Sequence, residues 1–391
     1  MEFLYPFQTP SWGILIATSL AYFAVTRFSV PPRMLTKKPQ ATGALAPELL
    51  DYTIDFLHSD KATLSACSLV CKRWLPSARY HLFSHIILRR ENLAAFYQLS
   101  KSRSFDHTII RRLEIWSPAS STSSFAQSLV PSLNQLHLMP NISTLRLRGL
   151  LLTAPIPISF ATIPSTLCPL KALEFLRVDA RWHEPWVVPT SLPVVPSFPR
   201  LSSLEVDGNV NIFLQWILAI PDIPKVSRLV LFVWNVEFNK LSTVSRYLSA
   251  LGPTLRSLKL IFPRKWNIGE VAMDLDLSHN VEIRSLVLMT HVDLLAPVAD
   301  ALLHRIRVGN LETLSFAFIG SHGPNIDLYQ PLDVELSSSR FQRLQSLSLS
   351  AWSKPAEGHA ITSEEHALRM LACFPLACKR GIVSVTQSSG L

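Results

Sequence analysis

LSSLEVDGNVNIFLQWILAIPDIPKVSRLVLF, residues Leu201–Phe232, holds one pattern twice. Leu201, Leu204 and Val206 carry the first copy; Val226, Leu229 and Leu231 carry the second. In the first copy Leu204 and Val206 alternate with Ser203, Glu205 and Asp207, as in a short strand with one buried face; in the second, Val230 and Phe232 take the intervening positions. Between the copies, Ile212 to Ala219 is apolar at helical spacing. The stretch therefore reads strand, helix, strand. The same triad recurs upstream at Phe83/Ile86/Leu88, Ile110/Leu113/Ile115, Ile142/Leu145/Leu147 and Leu173/Leu176/Val178. Downstream it returns at Leu255/Leu258/Leu260, Ile283/Leu286/Leu288, Leu311/Leu314/Phe316 and Leu344/Leu347/Leu349. The steps between first positions are roughly 25 to 33 residues. Further helical stretches fall at Leu241 to Leu251, Leu294 to Ile306 and Glu364 to Phe374.

One strand and one helix per step of about 30 residues is the signature of a leucine-rich-repeat solenoid. A single strand-helix unit cannot bury its apolar edge, so units stack, strands align in parallel and helices cover the outside. The predicted class is α/β: a curved solenoid with a parallel β-sheet on the concave face and helices outside. Ordinary α/β strands folded in another order are the alternative. No asparagine ladder is visible, and Ala154 to Pro199 carries nine prolines, which predicts two long loops around the Leu173 repeat. Side chains alternate along a strand, so residues flanking the central leucines point to the concave face. There Glu114, Trp116, Arg146, Arg148, Arg177, Asp179, Glu205 and Asp207 make the first half charged with mixed sign, and Arg177 can reach Glu205 on the next strand. Val230, Phe232, Trp234, Ile261, Val287 and Met289 form an apolar middle, expected to be exposed and to bind a target, with most weight on Trp234 and Phe232. Ser315, Ala317, Ser348 and Ser350 end the row.

Ahead of the array lies LAPELLDYTIDFLHSDKATLSACSLVCKRWLPSARYHLF, Leu45–Phe83. Pro47 and Glu48 suit a first helical turn. Leu50, Ile54 and Leu57 form one stripe of that helix, and Leu49 and Phe56 a second stripe about a third of a turn away. One stripe can pack internally; the other needs a partner. Ser59-Asp60 supplies a cap for a second helix, which is apolar over most of its circumference, and Pro76 can start a third.

This block resembles an F-box of the kind common in fungal multigene families. The residues that carry the resemblance are Leu45, Pro47, Glu48, Leu49, Ile54, Leu57, Asp60, Leu64, Val70, Lys72, Arg73 and Trp74. Ala46, inserted between Leu45 and Pro47, and Thr53, in place of an aliphatic residue, depart from the pattern. The resemblance covers about a tenth of the chain, and the array behind it is similar to the degenerate repeats that often follow a fungal F-box. It implies a substrate-recognition subunit of a Skp-cullin-F-box ubiquitin ligase. The adaptor of the Skp family would dock through Leu45, Pro47, Leu49, Leu50, Ile54, Leu57, Val70 and Trp74.

The expected organisation is a hydrophobic segment and linker over 1–44, the F-box-like domain over 45–83 and the repeat domain over 84–391. Because Phe83 to Leu88 doubles as the first strand, block and array are expected to move as one body, with any flexible tether at Thr36 to Ala44. Trp12 to Val25 is almost wholly apolar, and Ser11 to Phe28 is about 27 Å long as a helix, enough for a thin bilayer. Arg27, Arg33, Lys37 and Lys38 follow, which would keep the rest of the chain on the cytosolic side. The expected location is cytoplasmic, with a tether to the cytosolic face of a membrane as one reading.

With 391 residues and 48% apolar content there is ample material for a core, and 12 Gly among 28 Pro argue against a Gly-loop nucleotide enzyme. The formal charge of +9 is spread along the chain without a basic run, so no nucleic acid is expected as partner. Five cysteines without framework spacing fit a reducing compartment. Cys67, Cys71, His81 and His85 have a zinc-finger-like order, but the cysteines fall on a helical apolar face and the spacer is short. Hydrolase, phosphate-loop and metalloprotease motifs are absent. No catalysis, metal or cofactor is expected, and a membrane-tethered repeat scaffold is the second functional reading. The Asn141-Ile142-Ser143 sequon starts a predicted strand and is discounted.

Overall fold

The computed structural model describes residues 46–70, 72–116, 133–152, 167, 170–182, 198–233, 241–262, 275–306, 308–319, 324–352 and 363–387. Leu45, Cys71, Trp234 and the apolar segment at 11–28 lie outside them. Three helices come first: α1 (Pro47–Phe56), α2 (Lys61–Val70) and α3 (Leu75–Phe83). Then follow β1 (His85–Leu88), α4 (Arg90–Ser100), β2 (Arg112–Trp116), β3 (Thr144–Leu152), β4 (Phe175–Trp182), β5 (Ser203–Gly208), α5 (Val210–Leu218) and β6 (Arg228–Phe232). The chain continues through α6 (Leu241–Leu251), β7 (Ser257–Ile261), β8 (Ser285–His291), α7 (Val292–Arg305), β9 (Thr313–Ile319), α8 (Ile326–Leu336), β10 (Ser346–Trp352), α9 (Ser363–Ala372), α10 (Pro375–Lys379) and β11 (Val383–Gln387).

Every triad read from the sequence ends in a strand, and each described pairing is parallel between neighbours in chain order. The register is what the spacing requires. Leu204 faces Leu229, Leu229 faces Leu258, Leu258 faces Leu286 and Leu286 faces Leu314, all of them buried. From the second triad onward the first residue is buried too, from Ile110 and Ile142 to Leu311 and Leu344, while Phe83 of the first is half-buried. It fills the corner before the strand. Helices complete the core: Phe213 and Trp216 of α5 and Val244, Tyr247 and Leu248 of α6 are fully buried. Gly252, at φ 51°, turns the chain out of α6.

Two longer helices and one strand are among the elements that went unread in the sequence. In α4 the first turn is wholly polar, and the helix is fixed by Leu93 and Phe96 on its buried side and by the Arg89 N–H donating to Asn92 Oδ1 at 2.7 Å. In α8 an internal Pro331 masks a helix held by buried Tyr329, Leu332 and Leu336. An eleventh strand, β11, escapes because its corner position is not apolar: Leu347 pairs with Val383, which puts Arg380 where the previous unit has Leu344.

The chain divides into two compact units, and the division differs from the expected boundary after residue 83. One unit takes in the described residues through Gly149, with Leu167 and Leu170; the other takes in Leu150–Leu152 and the described residues from Lys171 to Gln387. The helical block belongs with β1 and β2 because α3 runs through Ser84 directly into β1, and the Ser84 carbonyl accepts from the Arg111 and Arg112 N–H groups at 2.9 and 2.8 Å. Block and first strands are thus continuous, whereas the apolar middle rungs belong to the second unit.

Candidate functional site

In the first unit, the block builds its own core from Ile54, Leu64, Cys67 and Ala78, with Leu57, Trp74 and Leu82 packed against it. The Asp60 carboxylate caps α2, accepting from the Thr63 N–H at 3.1 Å and the Thr63 hydroxyl at 2.6 Å. Those two bonds hold the Asp60 carboxyl below its ordinary pKa. Cross-links tie α3 to α1: His81 Nε2 lies 2.6 Å from Asp55 Oδ1, and the Ser77 hydroxyl donates to Asp51. Lys61 reaches the His81 carbonyl from α2.

This packing sorts the residues expected to meet an adaptor. Leu50 and Ile54 are buried, and Leu57 and Trp74 are half-buried against the same core. Three short helices have one interior, and the Ile54 stripe occupies it. The outward stripe is Leu49, Tyr52 and Phe56, to which α2 adds Leu69 and Val70; exposure runs from 53% at Leu49 to 70% at Phe56. Pro47 holds the first turn of α1. Tyr52 and Leu69 were not among the expected adaptor contacts, although Leu69 lies on the apolar second helix and Tyr52 falls midway along the Leu49–Phe56 stripe, where helical spacing would have found it. Its ring meets that of Phe56 edge-on at 5.1 Å. The Thr53 hydroxyl, where the F-box pattern prefers an aliphatic residue, back-bonds to the Leu49 carbonyl at 2.7 Å.

The zinc-like quartet is dispersed among other roles. Cys67 is in the core, His81 bonds Asp55 and His85 sits on β1, while Cys71 is outside the described residues. Among the described residues no group of three or more His, Cys, Asp or Glu is placed to hold a metal. Asn141, of the discounted sequon, donates its side-chain amide to the Thr108 carbonyl at 2.8 Å.

In the second unit the flanking residues form rows across the strands. Asp207, Phe232, Ile261, Met289 and Ala317 make one row; Arg177, Glu205, Val230, Lys259, Val287 and Ser315 make the next. The expected Arg177–Glu205 pair forms at 3.3 Å, and the Arg177 guanidinium also lies 5.6 Å from the Phe232 ring centre. The apolar middle, however, is not the exposed patch anticipated. Val230, Ile261 and Met289 are only 9, 2 and 3% exposed and form a cluster with Ala317, against which Phe232 and Ile319 pack. Neighbouring rungs of a parallel sheet stand within contact distance, so a run of apolar side chains there covers itself. Phe232 and Val287 remain half-buried.

The flank face of β1–β3, in the first unit, is different in kind. Glu114 is buried between Arg148, at 3.2 Å, and Arg146, at 3.9 Å. Trp116 is exposed, with the Arg89 guanidinium 4.9 Å from its ring centre. Partial desolvation, and next the Arg112 charge, hold the His85 imidazole below its ordinary pKa.

No protein-family model matches this chain, and no curated protein matches it. Among solved structures, a Bacteroides fragilis protein determined by a structural-genomics consortium aligns at 12% identity with a TM-score of 0.40. The alignment covers 77% of this chain and 72% of that one. At that TM-score the likeness carries no argument, and the F-box resemblance has no family match behind it. The structure itself establishes a mixed α/β repeat array: parallel strands paired in chain order, with a helical block before the first strand.

Proposed function

We propose that this chain is a non-catalytic recognition subunit of a Skp-cullin-F-box type ubiquitin ligase. The helical block docks a Skp-family adaptor, and a leucine-rich-repeat surface holds the target protein. One observation carries the reading: the block completes a core of its own and still presents Leu49, Tyr52, Phe56, Leu69 and Val70 outward, more apolar surface than folding requires. The mechanism is proximity, since holding a target near the conjugating machinery raises its effective concentration. The covalent chemistry belongs to other subunits, and the place of action is the cytoplasm. Co-purification with the adaptor tests the reading. The intact protein should recover it, and a Phe56→Ala, Val70→Ala variant, altered only at exposed positions, should lose it. Absence of adaptor from both samples rejects the ligase assignment.

A second reading is favoured by the continuity of α3 with β1. The block would then serve only as a cap on the first repeat of a membrane-tethered scaffold, because a terminal repeat otherwise exposes its apolar edge. The anchor would be residues 11–28; among the described residues no helix is long and apolar enough to cross a membrane. Retention of the full chain in carbonate-washed membranes, without adaptor binding, would favour the scaffold.

A further inference from the structure

On the flank face of β1–β3 the register arranges nine residues as a grid of three rows. His85, Arg112 and Thr144 form the first row, Ile87, Glu114 and Arg146 the second. In the third, Trp116 pairs with Arg148, and Arg89, the residue after β1, lies over the Trp116 ring. The grid spans about 10 Å across the strands and about 13 Å along them. Four guanidinium groups stand there against the single carboxylate of Glu114. Arg89, Arg112, Ile87 and Trp116 are exposed, so charge and apolar surface are offered side by side.

We propose that this grid is a docking site for an acidic peptide segment of a partner protein, with an apolar side chain set among its carboxylates. Charge complementarity selects the occupant. Guanidinium groups bind carboxylates through paired N–H donors; within the grid Arg146 and Arg148 are engaged with Glu114, and the exposed Arg89 and Arg112 are the cations presented to an incoming carboxylate. The apolar side chain seats between Ile87, in the row of Glu114, and Trp116, in the next row. Four or five extended residues match the length of the grid. Nucleic acid fits less well: a continuous phosphate run would pass over the Glu114 carboxylate, and one indole offers a single stacking platform. The site rests on the reading that the strands hold a target, and it is independent of the adaptor contact.

The test uses the full chain and a fluorescein-labelled Glu-Glu-Leu-Glu-Glu peptide followed by anisotropy, with no adaptor present. Binding should weaken as salt rises and should be absent for the Gln-Gln-Leu-Gln-Gln peptide. Arg112→Ser should weaken it about threefold, and Trp116→Ala about tenfold. Arg256→Ser, the same charge change at an exposed position of the second unit, should leave it unchanged. Thermal melts of each variant exclude unfolding as the cause. Equal affinity for both peptides, no binding at millimolar concentration, or tighter binding of a single-stranded oligonucleotide of equal charge would overturn the assignment. Adaptor recovery is measured separately, so the failure of one proposal leaves the other standing.

Discussion

Removing the Arg380 guanidinium should unfasten the last unit of the array and little else. Arg380 Nη1 donates to the Leu336 carbonyl at 2.6 Å, and Nη2 donates to those of Phe341 and Leu344 at 3.2 and 3.3 Å. These carbonyls belong to the preceding unit, and the donor occupies the corner that an apolar residue fills elsewhere. A hydrogen bond to a charged group contributes about 1.5–3 kcal/mol. Arg380 is itself exposed, so water replaces part of what is lost, and Arg380→Ala should cost about 2 kcal/mol rather than the sum of three bonds. Stability in stacked units is local, and 2 kcal/mol corresponds to about a 30-fold rise in the opening equilibrium of β11. Native-state amide hydrogen exchange reads this directly. Val383–Gln387 should exchange about 30-fold faster, while β5–β8 keep their rates. Arg380→Leu should lose less, since Leu344 shows that leucine fits the equivalent corner. Unchanged exchange in β11 for Arg380→Ala, or equal acceleration in β5–β8, would refute the reasoning.

Asp333 is buried and accepts from the Leu376 and Ala377 N–H groups at 2.7 and 3.0 Å, so Asp333→Ala should lower stability by about 2–3 kcal/mol in urea denaturation, with Asp333→Asn losing less. In the block, Ile54→Ala should cost about 2–5 kcal/mol and Phe56→Ala less than about 0.5, a contrast that circular-dichroism melts of the two variants would show. The Thr63 bonds lower the folded pKa of Asp60, so the cap is intact above the ordinary carboxylate range and is lost as pH falls through the lowered value. The Thr63 amide shift in NMR should titrate there and should stop titrating in Asp60→Asn.

Much of the fold was legible because the pattern is redundant. Ten triads each place two or three apolar residues, and Leu258 or Leu286 needs only its own spacing to find a buried row. The Arg177–Glu205 pair was legible for the same reason, since flank positions one repeat apart become neighbours. Where a unit substitutes one interaction for another, the pattern fails, as with Arg380 in place of a corner leucine. The candidate sites were less legible. Leu49 and Ile54 are both apolar, both helical and both part of the F-box resemblance, yet one is half exposed and the other enclosed.

Alternation along the chain, then, determined by itself that strands recur, which side chains share a face and which rungs align. It did so because strand and helix periods are properties of the backbone. Only the tertiary structure decided what lies opposite each face. Packing sent the Ile54 stripe inward and the Phe56 stripe outward, closed Val230, Ile261 and Met289 over one another, and left Arg89, Arg112 and Trp116 open on β1–β3. Exposure depends on neighbours brought together across the fold, and a local period carries no record of them.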